Sequence, residues 1–480
     1  MTIASESAFS TGGRLMSSHC SRLYPKTLEA LICGVRVQGG DGDGVRRGWG
    51  DSPSPHSQGT GQAKMAGFSV DLIHRDSKLS PFYNPSSTRS ERARDDALRS
   101  IARANRFNPS NFNEPNNIVS GVNPDGGTRT YFMKFAIGTP PVEIFAIADT
   151  GSDLIWSQCK PCNQCFTQIL PLFDPSNSVT YKNLPCHTKP CQSLILTPCP
   201  TQKDECPYYY SYNDRSYTKG LLATDTFTFD STGRSGVASF PEIVFGCGYD
   251  NGGTLFSTGQ ASGIVGLAAG QLSLVSQLST EIEKKFSYCL LPDTATSASK
   301  LRFGADSVLS GEGIVSTPLT LKQTINTSAL FYYLNLEAVS VGGMRIKNTL
   351  VAPNGGNIII DSGTTLNFLN IPLYNEVAAV ITEIINLNPV QDPRGVYSLC
   401  FDKISFRMVP EVNIVYHFTG ADVAWKPLNT FIELDVVTCL MILPTQGVNF
   451  YGNVAQVNFQ VEYDLTRMML SFAAADCSQH

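Results

Sequence analysis

Two short stretches of this chain repeat one another and constrain its fold more than any other feature. Ile147–Ser152 and Ile359–Thr364 each contain an apolar lead-in, an aspartate, a hydroxyl residue, a glycine and a second hydroxyl residue. The lead-in predicts a buried strand that holds the aspartate rigidly, and the glycine permits a turn that a side chain would block. The hydroxyls and backbone N–H groups can hydrogen-bond the carboxylate and fix its direction. One copy carries little information, but two copies in matching context indicate a paired site.

The two aspartates of these stretches are Asp149 and Asp361. If the two loops meet face to face, both carboxylates cannot ionise easily, so they share one proton and titrate as a unit. The ionised member can take a proton from a bound water while the protonated member donates to a substrate carbonyl. This chemistry predicts peptide hydrolysis through a tetrahedral intermediate, without covalent attachment and without a metal or an organic cofactor.

The chain resembles the pepsin-fold aspartic endopeptidases, and among them the plant nepenthesin-like branch that includes the constitutive-disease-resistance type. The resemblance extends from about Phe68 to Cys477. It implies a mainly β, bilobal pepsin-like acid protease fold with a few short helices. The residues that carry it are Asp149–Ser152 followed by Trp156, Asp361–Thr364, the tyrosine-rich segment around Tyr212, and the cysteine spacing.

The resemblance also implies a role for each residue of the two motifs. Asp149 and Asp361 share the proton and activate the water. The supporting residues fall into matched pairs: Thr150 and Ser362 tie the two loops together, Ser152 and Thr364 hydrogen-bond the outer carboxylate oxygens, and Gly151 and Gly363 occupy the turns.

A hairpin is predicted over residues 208–220, where relatives have a flap that closes over bound peptide and excludes water. Tyr212 matches the flap tyrosine, and its hydroxyl is expected to hydrogen-bond Trp156. The flap tip departs from the family pattern because Asn213 and Arg215 stand where glycines are usual. Arginine tolerates a positive φ poorly, so the departure bears on flap mobility and on turnover.

All but two of the 14 cysteines lie between Cys159 and Cys477. An even set in one globular region predicts disulfides and an oxidising compartment. A metal site is the alternative, because Cys159, Cys162 and Cys165 have ligand-like spacing, but no histidine-rich partner lies nearby and we expect no metal. Spacing cannot give the pairing. The resemblance implies Cys159–Cys162, Cys165–Cys247, Cys186–Cys206, Cys191–Cys199, Cys289–Cys477 and Cys400–Cys439.

Charge and helical periodicity predict a propeptide over residues 67–126. The first 126 residues are net positive and the rest is net negative, which suggests that the front binds the body and argues against nucleic acid as a partner. Thr88–Glu91 is a capping-box pattern, and a basic, arginine-rich helix is expected after it. Such a helix can lie across an acidic cleft and pair with the two aspartates until acid protonates them. The alternative is an exposed linker helix.

The remaining boundaries follow from composition and from the resemblance. We expect an N-terminal lobe at 127–320, with a cysteine-rich insertion at 159–206, and a C-terminal lobe at 321–480. Residues 108–127 are rich in Asn, Pro and Gly and predict an exposed loop suited to cleavage. Asn326 begins a glycosylation sequon.

Residues 1–66 form an unassigned N-terminal extension. They lack the clean apolar core of a secretory signal, which conflicts with the compartment that the cysteines predict. We expect either a gene-model artefact or an organelle-targeting segment. For the protein itself we expect secretion to the apoplast or a vacuolar location.

We expect a monomer that binds its own propeptide and cleaves polypeptide substrates, with no membrane span because no run of 18 apolar residues occurs. The rival interpretation is a catalytically silent, secreted pepsin-fold binding protein of the plant xylanase-inhibitor type. Such proteins tend to lose part of the paired aspartate motifs, and both motifs are intact here. The few histidines form no recognisable nucleophile motif with a serine or cysteine, so a Ser-His-Asp or Cys-His mechanism has little support.

Overall fold

Strands dominate the described part of the chain because its regular segments are rich in β-branched and aromatic residues. The computed structural model describes residues 67–107, 131–194, 199, 201, 204–212, 216–231, 236–253, 261–323, 330–350, 352 and 355–480. The expected cleavage loop, Asn326, the flap tip and the N-terminal extension lie outside these residues. The result is mainly β, as predicted, with short helices.

The largest sheet has 14 strands and contains strands from both ends of the described chain. Its order is β12-β27-β26-β10-β11-β1-β2-β3-β9-β4-β8-β7-β5, with β6 paired to β7. The strands are β1 (Phe68–His74), β2 (Tyr131–Ile137), β3 (Val142–Asp149), β4 (Trp156–Gln158), β5 (Lys182–Asn183), β6 (Pro207–Ser211), β7 (Tyr217–Asp230), β8 (Val237–Gly252), β9 (Gly263–Gly266), β10 (Lys285–Cys289), β11 (Ser299–Phe303), β12 (Val315–Pro318), β26 (Phe459–Asp464) and β27 (Met469–Ala474).

Three smaller sheets build the C-terminal lobe, in the orders β13-β14-β17-β25-β18-β24, β16-β15-β20-β21 and β19-β23-β22. Their strands are β13 (Thr320–Gln323), β14 (Leu330–Leu334), β15 (Leu336–Val341), β16 (Met344–Lys347), β17 (Ile358–Ile360), β18 (Asn367–Asn370), β19 (Cys400–Asp402), β20 (Ile414–Phe418), β21 (Ala421–Ala424), β22 (Phe431–Glu433), β23 (Val437–Leu440), β24 (Ile442–Thr445) and β25 (Asn449–Tyr451).

The helices of the described residues are α1 (Arg89–Ala104), α2 (Lys189–Gln192), α3 (Leu274–Gln277), α4 (Ile371–Ile385), α5 (Lys403–Phe406) and α6 (Pro427–Thr430). Helix α3 is a single turn that ends at Gln277, and Lys285 already begins β10. No helix in the described ranges is long and apolar enough to cross a membrane.

The segment before β2 is built into the fold rather than appended to it. Strand β1 lies inside the large sheet, antiparallel to β11 on one side and to β2 on the other. Helix α1 begins at the predicted capping box, with Thr88 accepting the Glu91 N–H and the Glu91 carboxylate accepting the Thr88 N–H. Its apolar face packs on a cluster of the C-terminal lobe that includes Phe331 and Phe450. The alternative of an exposed linker helix is therefore wrong.

All twelve cysteines from Cys159 to Cys477 are disulfide-bonded, but the expected pairing is correct only for Cys289–Cys477 and Cys400–Cys439. Strands β4 and β8 run parallel with Ser157 beside Cys247, which brings Cys159 to a Cα distance of 5.4 Å from Cys247. Cys162 is left to bond its loop neighbour Cys165. The predicted pairing is also wrong for the other four cysteines of the insertion, where the disulfide bonds are Cys186–Cys199 and Cys191–Cys206.

The pairing of these four cysteines has a simple geometric reason. Helix α2 carries Cys191 into a buried cluster that also contains Cys186 and Cys206. The Sγ atoms of Cys186, Cys191 and Cys199 lie within 4.8 Å of one another. Sulfur atoms this close allow several pairings along the sequence, so only their orientation in the folded insertion selects one.

Candidate active site

The two predicted loops end two buried strands in equivalent settings. Asp149 is the last residue of β3, which runs parallel to β9 with Asp149 beside Gly266. Asp361 follows β17, which runs parallel to β25 with Ile360 beside Tyr451. Both aspartates are completely buried. Each loop is thus held on a rigid strand that a parallel neighbour supports.

The loops meet through their first hydroxyl residues. The Oγ1 of Thr150 lies 3.1 Å from the Oγ of Ser362, and the Ser362 N–H donates to the Thr150 Oγ1 at 3.0 Å. Two hydrogen bonds therefore join loops that stand far apart in the chain. This contact brings the two carboxylates to the same side of the junction.

Backbone N–H groups hold one oxygen of each carboxylate. The Gly151 N–H donates to Asp149 Oδ1 at 3.2 Å, and the Gly363 N–H donates to Asp361 Oδ1 at 2.9 Å. Thr364 donates from Oγ1 to Asp361 Oδ2 at 2.6 Å, as expected.

Ser152 departs from its expected role. Its buried Oγ has no hydrogen-bond partner within the described chain, so the expected bond to the outer oxygen of Asp149 is absent. Ser152 and Thr364 therefore occupy equivalent positions in the two motifs, but only the Thr364 hydroxyl bonds its aspartate among the described residues.

A single arginine of helix α1 contacts both aspartates. The Nε of Arg103 donates to Asp361 Oδ2 at 2.6 Å, and its terminal nitrogen lies 3.1 Å from both Asp361 Oδ1 and Asp149 Oδ1. Arg103 is itself buried. Burial opposes its charge, but the carboxylates of Asp361 and Asp149 outweigh burial and raise the pKa of Arg103. The two acids therefore converge on one nitrogen atom.

Further contacts hold helix α1 against the C-terminal lobe. The Oγ of Ser100 accepts the N–H groups of Thr365 and Leu366, which follow the Asp361 loop, at 3.0 and 3.2 Å. Buried Arg94 reaches Asp435 at 3.2 Å. Phe107, just beyond the helix, packs edge-on against the rings of Phe331 and Phe450. The helix is thus fixed on both sides of Arg103.

Comparison with known proteins gives a consistent family. Residues 131–305 match the xylanase inhibitor N-terminal model and residues 331–474 match the xylanase inhibitor C-terminal model. A protein named probable aspartic protease from Arabidopsis thaliana is 45% identical over 86% of this chain and 94% of its own length. Aspartic proteinase nepenthesin-1 from Nepenthes gracilis is 38% identical over 87% of this chain and 92% of its own length.

The chain belongs to the plant pepsin-like aspartic proteases. Its fold also resembles the crystal structure of basic 7S globulin from soybean, with a TM-score of 0.58, 18% identity, and coverage of 73% of this chain and 95% of that chain. That likeness shows the bilobal, mainly β architecture alone. Residues 1–35 of the protease match a different model, the hAT family C-terminal dimerisation region.

The segment that was expected to be a flap forms the predicted hairpin in its described part. Strands β6 and β7 pair from Pro207 opposite Leu221 to Ser211 opposite Tyr217. The Nε1–H of buried Trp156 donates to the Tyr212 hydroxyl at 2.7 Å. This bond holds Tyr212 against β4, the strand that follows the Asp149 loop.

A second hydrogen-bonded line of side chains was not expected from the sequence. Ser340 Oγ lies 2.7 Å from His417 Nε2, and His417 Nδ1 lies 2.6 Å from Asp422 Oδ1. The order matches a Ser-His-Asp triad, but Ser340 is buried in the middle of β15, where its backbone is paired with β16 and β20. A nucleophile needs access and an oxyanion hole. We therefore interpret this line as cross-strand hydrogen bonding.

Sequence reasoning predicted a basic helix over the site but did not single out Arg103. Arg103 directly precedes Ala104 of the apolar face, but neighbouring residues on a helix do not share a face. No sequence signal therefore distinguished Arg103 from the other arginines of α1. Asp153 was also missed, although it follows the first motif directly. No periodic pattern marks a buried carboxylate of this kind.

Proposed function

We propose that the protein is the zymogen of an aspartic endopeptidase that works at acidic pH. The observation that carries this proposal is the convergence of Asp149 and Asp361 on one guanidinium nitrogen of Arg103. Two carboxylates that share one small cation can also share one water molecule when the cation leaves. One carboxylate then takes a proton from the water while the other, protonated, donates to the carbonyl of the scissile bond.

The surrounding residues support this mechanism in distinct ways. The Thr150–Ser362 contact fixes the separation of the loops, and the Gly151 and Gly363 N–H groups fix one oxygen of each acid. Such preorganised donors cost no rearrangement during the reaction. The Tyr212–Trp156 bond positions the flap to cover bound peptide and exclude water.

Helix α1 is proposed to be the inhibitory part of a propeptide that spans residues 67–126. Its Arg103 side chain contacts both aspartates and offsets part of their negative charge. A substrate cannot reach the water site until this helix departs. Acid favours departure because protonated carboxylates no longer attract the guanidinium, so activation and catalysis require the same pH range.

The finer assignments complete the proposal. We assign the N-terminal lobe to 127–320 and the C-terminal lobe to 321–480. Secretion or vacuolar delivery fits the six disulfide bonds, which form in oxidising compartments. Residues 1–66 are proposed to be a gene-model artefact or a targeting segment, and Asn326 is proposed as a glycosylation site.

A purified, acid-treated full chain tests the proposal. We expect cleavage of denatured globin at acidic pH, loss of cleavage in the Asp149→Asn variant, and inhibition by a statine-type peptide. Asp225→Asn is a matched control, because Asp225 is equally buried but accepts from Ser178 and Thr180, which belong to neither aspartate loop. Binding to a glycanase without any cleavage would instead support the inhibitor interpretation.

A further inference from the structure

Asp153 is a buried carboxyl group that the catalytic mechanism does not use. It lies four residues after Asp149 and is 4% exposed. Its Oδ1 accepts the Gly270 N–H at 2.8 Å, and its carboxylate also accepts the Leu330 N–H. A side chain on Gly270 would collide with this carboxylate. The position thus combines a buried acid, a glycine that makes room for it, and two converging donors.

The two donors belong to different halves of the catalytic apparatus. Gly270 follows β9, whose end supports Asp149 through the Leu267 N–H, which donates to the Asp149 backbone carbonyl at 2.8 Å. Leu330 begins β14 of the C-terminal lobe. Strand β14 pairs with β17, the strand that runs directly into Asp361. The carboxyl group of Asp153 therefore touches the supports of both catalytic loops.

Neighbouring contacts show that β14 is drawn against the N-terminal lobe at this point. The Tyr332 hydroxyl donates to the Leu267 carbonyl at 2.8 Å, and the Ala269 N–H lies 3.4 Å from the Leu330 carbonyl. Tyr332 is itself buried. The Asp153 carboxylate adds to this contact, because it accepts one N–H from Gly270 and one from Leu330 of β14.

We propose that Asp153 is a positioning residue that sets the relative placement of Asp149 and Asp361 by binding the Gly270 loop and strand β14 together. This inference rests on the proposed aspartic-peptidase mechanism. It concerns how the two acids are held, not which groups perform the chemistry.

The protonation of Asp153 gives the link a pH dependence. Burial raises the pKa of Asp153 to about 7, the two N–H donors oppose this rise, and the charge of Asp149 adds to it. Tyr332 is the other titratable group whose pKa the charge of Asp153 affects. Because the folded-state pKa lies above the ordinary value of 3.8, the stabilisation is fully present below that value. It is lost as pH rises through about 7.

The test compares Asp153→Asn and Asp153→Ala with the wild type and with Asp225→Asn, all as acid-activated full chains. A small misplacement of reacting groups costs up to about 100-fold. We therefore expect kcat to fall about 10-fold in Asp153→Asn, which keeps one acceptor, and about 100-fold in Asp153→Ala. KM should stay unchanged because Asp153 does not face substrate, and Asp225→Asn should keep the wild-type kcat.

Two further measurements separate positioning from a general loss of stability. The Leu330 amide should exchange its hydrogen faster in both Asp153 variants, and thermal stability should decline less between pH 5 and 8 in Asp153→Asn than in the wild type. A wild-type kcat in Asp153→Asn, or an unchanged exchange rate at Leu330, overturns the inference. An inactive wild type refutes the proposed mechanism instead, and the exchange measurement still tests the link if Asp153→Ala fails to fold, since Asp153→Asn suffices for it.

Discussion

The two aspartate loops share a sequence pattern but differ in what surrounds them. Asp361 receives a backbone N–H, the Thr364 hydroxyl and two donors from Arg103. Asp149 receives the Gly151 N–H and one donor from Arg103, while the neighbouring Ser152 hydroxyl bonds nothing within the described residues. A repeated motif therefore fixes the placement of the two acids, whereas several of the groups that hydrogen-bond them come from the rest of the fold.

The largest predicted effect is the fall in kcat when either aspartate is replaced, and it should be similar for the two. Because each acid holds one end of the same water, Asp361→Asn and Asp149→Asn should each lower kcat by about 1,000-fold or more. The measurement is peptide cleavage under saturating substrate after acid activation. A variant at either aspartate that retained one tenth of the activity would break the symmetry and contradict the shared-water mechanism.

A smaller effect on kcat is predicted for the hydroxyl groups beside the two aspartates, because Thr364 bonds Asp361 whereas Ser152 has no partner in the described residues. Thr364→Val removes the hydroxyl that bonds Asp361, and a hydrogen bond to a charged group contributes about 1.5–3 kcal/mol. We therefore expect kcat to fall about 10-fold or more in Thr364→Val. Ser152→Ala removes a hydroxyl without a partner and should change kcat little. Equal losses in these two matched variants would mean that the asymmetry disappears when substrate binds.

The next prediction concerns Arg103, whose three donors are divided unequally between the two acids. Arg103→Gln removes the cation, and a difference of about 1.4 kcal/mol corresponds to one pH unit in a titration. The pH midpoint of propeptide release should therefore rise by about one unit or more. Release can be followed by the size of the chain after incubation at graded pH.

Arg89→Gln is the control for that measurement. Arg89 is also on helix α1, but it is half-exposed and pairs with Asp293 at the surface. Exposed ion pairs contribute little, so its midpoint should not move. Equal shifts in both variants would indicate that helix charge as a whole, and not the contact with the two acids, retains the propeptide.

The smallest effect should come from the other end of the same segment, at His74 of β1. Burial lowers the pKa of His74 below its ordinary 6.5, against the charge of Asp96. A base that is held neutral stabilises the fold above 6.5, and this contribution is lost as pH falls. His74→Gln should therefore retain the propeptide to a pH lower by a few tenths of a unit.

Asp76 opposes the effect of His74, and an exposed histidine supplies the control. The pKa of Asp76 is raised to about 7, chiefly by burial, so this acid favours the folded segment at low pH and opposes His74. His187→Gln, in the exposed part of the cysteine-rich insertion, should leave the midpoint unchanged. A rise in the midpoint on His74→Gln would contradict the assigned sign.

Much of the site could be predicted because its parts are local. An apolar strand, an acid and a glycine turn are adjacent in sequence, so β3 and β17 were expected to end at the two aspartates, and they do. The capping box and the apolar face of α1 are local for the same reason. The flap hairpin followed from alternating residues on either side of a polar turn.

Contacts between distant segments could not be predicted in the same way. Four of the expected disulfide bonds were wrong, because partners depend on how β4, β8 and the insertion turn toward one another. The idle hydroxyl of Ser152 and the two-sided role of Asp153 have no counterpart in any sequence period.

The order of the residues is enough to specify two equivalent acid-bearing loops, a basic segment in front of them, and an even set of cysteines for disulfide bonds. The contacts of Arg103 with both acids, and of Asp153 with Gly270 and Leu330, arise from the packing of distant segments. The physical reason is range. Strand and turn propensities act over a few neighbouring residues, whereas the partners of a buried charge are chosen by whichever distant groups the packed sheets bring within hydrogen-bonding distance.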